Sequence, residues 1–165
     1  MSIVLRRLIA FLLDTLILAV YAGALFFFVS PVVRPLFAAS ALQAELTGFV
    51  LLTLPFVLYF ILSESSARSG SIGKRIMGLS VLNSKTKKRI GLVQSVKRSV
   101  IKFLPWELAH FAIWNAFIFE SDLSSVAMVA LVFCYILAGG YIAGLVMKSH
   151  RPLYDRLAGT IVIKK

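Results

Sequence analysis

Long apolar segments, separated by shorter polar ones, run the length of the chain. Three of them, residues 8–29, 46–62 and 126–147, are mainly apolar and contain 17 to 22 residues each. A helix that crosses a bilayer needs about 20 mainly apolar residues, with a range of about 17–25. We therefore predict three membrane-spanning helices. The first ends before Pro31 and includes one carboxylate, Asp14.

A fourth apolar segment, residues 103–119, is interrupted by polar side chains. Pro105, Glu107, His110 and Asn115 all lie within these 17 residues. Hydropathy alone therefore leaves two alternatives open: a full crossing, or a loop that enters the bilayer and returns to the same side.

The distribution of basic residues decides between these alternatives. Residues 1–7, 63–102 and 148–165 together hold 17 of the 18 Lys and Arg residues. An excess of Lys and Arg marks the cytoplasmic side of a membrane protein, and all three segments are cytoplasmic only if residues 103–119 cross. The sequence thus predicts one all-α membrane domain over residues 1–165. We expect a bundle of four transmembrane helices, with both chain ends and the large basic loop in the cytoplasm.

The basic loop contains a short segment with strand character. Residues 76–82 alternate imperfectly between apolar and polar, and residues 89–91 can return after a polar turn as a short cytoplasmic β-hairpin. Residues 160–163 also have the pattern of a strand and can join this hairpin. Residues 92–104 have an amphipathic helical pattern, which predicts a helix at the membrane interface or packed on the cytoplasmic end of the bundle.

Composition agrees with a membrane protein. Hydrophobic residues make up 59% of the chain and charged residues 15%, whereas soluble domains have about 25% charged residues. The single cysteine, Cys134, excludes a disulfide within the chain. The net charge of +11 can indicate nucleic acid binding, but the basic residues lie between apolar segments. Anionic lipid headgroups on the cytoplasmic face are therefore the expected partner, and nucleic acid is not.

Asp14 is the most unusual residue of the first predicted span. A carboxylate within a membrane normally faces the interior of a helix bundle or a water-filled cavity. It can act as an ion or proton site that exchanges a proton for a cation. Alternatively, it can form an internal ion pair. Arg7, two helical turns earlier on the same face, can approach Asp14 but cannot pair with it directly within one straight helix, whereas Lys74 or Arg75 of the loop can close the pair.

Glu107 and His110 form a second candidate ion or proton site. They are three residues apart and share one face of a helix, so they can relay a proton. The alternative is structural. A carboxylate just after Pro105 stabilises the amino end of a helix, and a single histidine on an apolar helix is commonly a packing residue.

Charged residues of the loop and tail can meet those of the first helix. If the tail folds back, Asp155 can pair with Arg7, Lys74 or Arg75. We therefore predict a single cytoplasmic ionic cluster. Its basic members in the loop and tail are Lys74, Arg75, Arg151 and Arg156.

Two further patterns concern packing and chemistry. Gly140 and Gly144 are four residues apart in the last span, a spacing that lets another helix approach closely. The two histidines and the one cysteine have no metal-ligand spacing, and neither a nucleophile elbow nor a phosphate-binding loop occurs. We therefore predict no enzymatic activity, no metal site and no cofactor.

Three motifs, in order, cover the chain nearly from end to end. The first runs from Arg7 to Asp14 as RLIAFLLD, the second from Ser71 to Val81 as SIGKRIMGLSV, and the third from Arg151 to Val162 as RPLYDRLAGTIV. With these motifs the chain resembles the RDD family of small bacterial membrane proteins, which is named for an arginine and two aspartates, here matched by Arg7, Asp14 and Asp155. Two positions depart from the family pattern, in which Thr is usual where Ser71 stands and His is frequent where Tyr154 stands.

The resemblance implies a location in the bacterial cytoplasmic (inner) membrane and a role in transport of a small cation or other solute. Sodium/proton antiport has been proposed for some members. The alternative is a non-transporting membrane module that assembles with, or regulates, a partner membrane complex. The family is usually described with about three spans. Because four short spans enclose little space, we expect a homo-oligomer or a membrane partner protein.

Overall fold

The computed structural model describes residues 1–119, 122–147 and 150–165. The chain is mainly helical in this part, with seven α-helices, two π-helical segments and two strands. The α-helices are α1 (Ile3–Ala39), α2 (Ala41–Gly48), α3 (Leu54–Ser65), α4 (Ile72–Ile76), α5 (Leu92–Ala112), α6 (Ser124–Val146) and α7 (Leu153–Leu157). The first π-helical segment is Phe49–Thr53 and the second is Ile113–Ile118, while the strands are β1 (Leu79–Asn83) and β2 (Thr160–Lys164).

Three helical stretches of the described chain are long and apolar enough to cross a membrane: Ile3–Val29, Ala41–Ser65 and Ser124–Val146. They correspond to three of the four predicted spans. The fourth predicted span, residues 103–119, lies in α5 and the second π-helical segment and is not among them. Glu120 and Lys148, which the charge argument assigned to opposite sides of the membrane, lie outside the described residues.

The helical stretches that contain the first two predicted spans are longer than those spans. Helix α1 continues past Pro31 and Pro35 to Ala39. A proline removes one helical hydrogen bond and its ring crowds the preceding turn, but membrane helices tolerate it where other groups satisfy the freed carbonyl. Helix α2 begins at Ala41, where the hydroxyl of Ser40 caps the helix by accepting a hydrogen bond from the backbone N–H of Gln43 at 3.2 Å. This first turn contains polar residues, so the hydropathy pattern did not include it in the predicted span.

The sheet joins the loop to the C-terminal tail. Strand β1 pairs antiparallel with β2, and Val81 lies opposite Val162. The predicted return at residues 89–91 is limited to a single bridge between Leu82 and Arg89, because α5 begins directly afterwards. The tail, rather than the adjacent segment of the loop, supplies the partner strand.

The chain divides into two compact units. The first comprises Met1–Ala19, Phe56–Lys102 and Gly140–Lys165, and the second comprises Val20–Pro55 and Phe103–Gly139. The first unit has an apolar core that includes the sheet, formed by Ala10, Leu79, Val81, Ile90 and Val162.

In the second unit, small side chains mark the buried positions of the helices. Ala44, Ala112 and Ala127 are fully buried there. Small residues let helix backbones approach closely, which is the usual way that helices pack within a membrane.

Candidate functional site

Five elements of the first unit each contribute one charged side chain to a buried ionic cluster, defined here as Arg7, Glu64, Lys74, Arg98 and Asp155. Arg7 Nη2 lies 2.7 Å from Asp155 Oδ2, and Arg98 Nε lies 3.0 Å from Asp155 Oδ1. Arg98 Nη1 lies 2.7 Å from Glu64 Oε2, and Lys74 Nζ lies 2.8 Å from Glu64 Oε1. Cations and carboxylates therefore alternate from α1 through α7, α5 and α3 to α4.

Every carboxylate oxygen of the ionic cluster faces a cation. Burying an unpaired ion costs several kcal/mol even after relaxation, so such side chains persist only when they are paired and hydrogen-bonded. The hydroxyl of Thr160 adds a hydrogen bond of 2.6 Å to Asp155 Oδ1. Arg7 also donates to the carbonyl of His150, which fixes the start of the described tail.

The electrostatics keep the cluster ionised. Burial favours the neutral form of Asp155, but the guanidinium groups of Arg98 and Arg7 outweigh burial and hold the pKa of this carboxyl below its ordinary value. Burial likewise disfavours the charged form of Arg98, while Asp155 and Glu64 raise its pKa above the ordinary value. Both shifts favour the charged forms, so Asp155 and Arg98 form an ion pair at physiological pH.

The structure brings some of the predicted cluster residues together and leaves others apart. Arg7 and Asp155 do meet, and Lys74 belongs to the cluster through Glu64 rather than Asp155. The other three basic residues that we expected in the cluster bind backbone carbonyls instead: Arg75 donates to Gly70, Arg151 to Thr160 and Arg156 to Arg151. Glu64 and Arg98, which link the two halves of the cluster, were not singled out.

The burial of Arg98 follows from the orientation of α5, and the sequence signal for it is the amphipathic pattern of this helix. Ser95, Arg98 and Ser99 are buried, whereas Val93 on the opposite side is 84% exposed. The amphipathic pattern was recognised from the sequence, but in the structure the polar face points inward and the apolar face outward. An inverted helix of this kind suits a lipid environment, in which the apolar face is the outer one.

Asp14 is buried, with 2% of its surface exposed, and its described partners are neutral donors. Tyr59 Oη donates at 2.8 Å, Ser71 Oγ at 2.6 Å and the backbone N–H of Gly73 at 2.9 Å. A carboxylate has about four acceptor positions, so these bonds use most of its capacity. The expected ion pair of Asp14 with Lys74 or Arg75 is not formed, because Lys74 binds Glu64 and Arg75 binds the carbonyl of Gly70.

Gly73 explains why Asp14 can bind a backbone N–H. A Cβ atom at Gly73 would lie 2.2 Å from the carbonyl oxygen of Ala10, so only glycine lets this segment lie directly on α1. Asp14 therefore anchors the start of α4 to α1. The first and second sequence motifs meet at this contact.

Gly144 has a similar role, but not the predicted one. A Cβ atom there would lie 2.7 Å from the Cα atom of Pro152, so the close approach is made by the tail. Nothing lies within 4 Å of the equivalent position at Gly140. Among the described residues, the pair therefore does not form a contact between two spanning helices.

The second unit contains a different group of charges, the carboxylate pocket, defined here as Glu45, Glu107 and His110. Thr53 Oγ1 donates to Glu107 Oε1 at 2.6 Å and itself accepts a hydrogen bond of 3.0 Å from Trp106 Nε1. His110 Nδ1 lies 3.8 Å from the same carboxylate oxygen. Glu45 lies near enough to Glu107 and His110 to interact electrostatically with both.

The pocket borders an open cavity of about 360 Å³. The cavity is lined by Leu42, Glu45, Leu46, Phe49, Glu107 and Phe111. The side chain of Glu107, which lines the cavity, is 27% exposed, and that of His110 is 24% exposed.

Both π-helical segments of the described chain lie in this unit. Thr53 closes the first, and Asn115, which is buried, lies in the second. The wide turns of π-helical segments occur frequently at functional sites. In the described part of the chain, no group of three or more His, Cys, Asp and Glu side chains could hold a metal ion.

The sequence model of the RDD family matches residues 2–159 of the 165-residue chain. No curated protein and no solved structure matches the chain. The family match covers nearly the whole chain, and three helical stretches of the described residues are apolar and long enough to cross a bilayer. The chain therefore belongs to the RDD family and is a membrane protein.

Proposed function

We propose that the protein transports a cation in exchange for protons at the carboxylate pocket of the second unit. The observation that supports this most directly is the partial exposure of Glu107 and His110 beside a cavity, on helices that are otherwise mainly apolar. An ionisable group at the centre of a membrane helix costs roughly 2.5–3.5 kcal/mol on insertion scales. Such groups are typical of ion and proton pathways.

In this mechanism Glu107 is the exchanging group. A cation that enters the cavity replaces a proton on the Glu107–His110 pair, and Glu45 adds a second negative charge to the binding site. The hydroxyl of Thr53 holds one oxygen of Glu107 in place throughout. Loss of the cation on the other side lets the proton return, so one positive charge moves each way.

Asp14 has a structural role in this proposal, although the sequence made it a leading candidate for the carrier. Its oxygens accept hydrogen bonds from Tyr59, Ser71 and Gly73, and those bonds anchor α4 to α1. Each transport cycle would have to break these bonds before a cation could bind. Glu107, by contrast, has one neutral donor and a histidine as its described neighbours.

We propose that residues 103–119 also cross the membrane and form its fourth span. Within the second unit, Trp106 and Glu107 contact Thr53, and the second π-helical segment packs against α2. The segment therefore runs antiparallel to residues 41–53 of a candidate span. Together with the basic distribution, this supports an inner-membrane protein with both ends in the cytoplasm and its basic loop against anionic lipid.

A second candidate function is favoured by α6. Only 6% of its most apolar 18-residue window is buried within the protein. A spanning helix with so little packing can serve as the contact for a second copy of the chain or for a partner membrane protein. Under this alternative the protein is an assembly or regulatory module that carries out neither transport nor enzyme chemistry.

Ion-coupled proton flux in liposomes tests the transport proposal. Wild type, Glu107→Gln and the matched control Asp122→Asn, an exposed carboxylate of the same unit, are compared with a pH dye inside and sodium, potassium or lithium pulses outside. We expect flux in wild type and in Asp122→Asn, and at least about a tenfold loss in Glu107→Gln, since a neutral amide cannot exchange a proton. Equal flux in all three proteins would exclude the carboxylate pocket. Absence of flux from folded protein with these ions and with an organic monocation would favour the assembly module.

A further inference from the structure

The dimensions of the cavity distinguish between classes of cation. Its volume of about 360 Å³ falls within the range of about 300–1,000 Å³ that sites for small organic ligands occupy. A bare metal ion instead needs a close shell of oxygen ligands. The described cavity offers such oxygens only at Glu45 and Glu107.

The remaining walls of the cavity are apolar. Leu42 and Leu46 supply aliphatic surface, and Phe49 and Phe111 supply aromatic rings. Aromatic faces attract organic cations through the negative charge of the ring face. Two carboxylates combined with such walls match a molecule that has one positive charge and an apolar body.

The entrance to the cavity is equally apolar. Leu42, Leu46 and Phe49 are all exposed, and they lie on Ala41–Ser65, one of the candidate spans. The outer surface of a spanning helix faces lipid, so the cavity is accessible from the acyl chains. Amphiphilic cations concentrate in bilayers and can enter such a groove laterally.

From these observations we infer that the carboxylate pocket binds an amphiphilic organic monocation, such as a quaternary ammonium or phosphonium compound, that enters from the lipid. This inference rests on the proposed transport function and names its substrate class. The bound cation pairs with Glu107, its apolar body lies against Phe49 and Phe111, and one proton leaves the Glu107–His110 pair for water.

Binding of radiolabelled tetraphenylphosphonium to the purified protein in lipid nanodiscs tests the inference, with empty nanodiscs subtracted for partition into lipid. Wild type and Asp122→Asn should bind one cation per site and release a proton. Glu107→Gln should lose about tenfold or more in affinity, as expected when a partly buried charge pair is broken. Phe111→Ala should weaken tetraphenylphosphonium binding, because it removes an aromatic ring from the cavity wall.

The outcomes separate the two proposals. Sodium-coupled flux that depends on Glu107, without binding of tetraphenylphosphonium, would overturn the substrate class and leave the transport proposal standing. Equal tetraphenylphosphonium binding by wild type and Glu107→Gln would also overturn it. Absence of flux and of binding in folded protein would overturn both proposals.

Discussion

The two units bury their charges in different ways. In the ionic cluster of the first unit, each carboxylate oxygen of Glu64 and Asp155 faces a cation at 2.7–3.0 Å, and both side chains are fully shielded from solvent. In the carboxylate pocket of the second unit, Glu107 has a neutral donor at 2.6 Å and a histidine nitrogen at 3.8 Å, and its side chain is partly exposed. The first arrangement places a cation at every carboxylate oxygen, whereas the second leaves Glu107 with one neutral donor and a histidine.

This difference indicates a structural role for the charges of the first unit and the proposed functional role for those of the second. The residues that give the family its name lie in the first unit, where Arg7 and Asp155 pair and Asp14 anchors α4. Glu45 and Glu107 belong to none of the three motifs. The motifs therefore describe how the first unit folds, and under the proposed function the chemistry lies outside them.

The largest effect should follow removal of Arg98. Arg98→Met leaves one buried carboxylate oxygen of Glu64 and one of Asp155 without its cation, while Lys74 and Arg7 still face the others. Breaking a buried ion pair typically destabilises a protein by about 3–5 kcal/mol. We expect little folded protein, measured as the thermal midpoint and the monodisperse fraction in detergent. Lys97→Met, at the exposed neighbouring position, is the matched control and should change stability by less than about 0.5 kcal/mol. Similar stability of the two variants would show that the cluster does not hold the first unit together.

An intermediate effect should come from Gly73→Ala. The added methyl group would meet the carbonyl oxygen of Ala10 at 2.2 Å, and overpacking of this kind typically costs about 1–3 kcal/mol. The thermal midpoint should fall, while ion-coupled flux per folded molecule should stay unchanged if Asp14 only anchors α4.

Gly139→Ala is the control for this substitution, because nothing lies within 4 Å of its Cβ position and alanine favours the helix. It should be neutral or stabilising. A loss of flux in folded Gly73→Ala would return Asp14 and its surroundings to the transport pathway.

The sequence was most informative where one physical property dominates. Uninterrupted apolar length identified three spans, and alternation identified the two segments that pair as β1 and β2. The pairing of Arg7 with Asp155 followed from the need to neutralise charge next to apolar segments. These signals are local, or require only that opposite charges meet.

The remaining features depend on which way a helix faces. Arg98 is one of ten basic residues in the loop, and its burial follows from the inverted orientation of α5, which hydropathy does not specify. In the sequence, Glu64 lies just after the second predicted span, and only the fold brings Lys74 and Arg98 to it. Glu45 lies outside the apolar segment predicted for its span, so only the longer helix brings it to Glu107.

The smallest effect is the dependence of stability on pH. The pKa of Asp155 is held below its ordinary value of 3.8 in the folded protein, so the unfolded chain takes up the proton first as the pH falls. The stabilisation is complete above about pH 5 and is lost as the pH falls through the folded value. Thermal midpoints should therefore be nearly constant from about pH 8 to 5, a range in which flux should vary because the proton is a substrate.

Thr160→Val is the matched variant, because it removes the hydroxyl that donates to Asp155 at 2.6 Å and helps to lower its pKa. The acid loss of stability should begin at the same pH as in wild type, because the unfolded chain is unchanged, but it should be smaller and should end at a higher pH. A uniform decrease of about 1 kcal/mol for the lost hydrogen bond should add to it. Parallel acid limbs for wild type and Thr160→Val would mean that Asp155 does not set the acid stability. The acid loss of stability would then have to be attributed to Glu64.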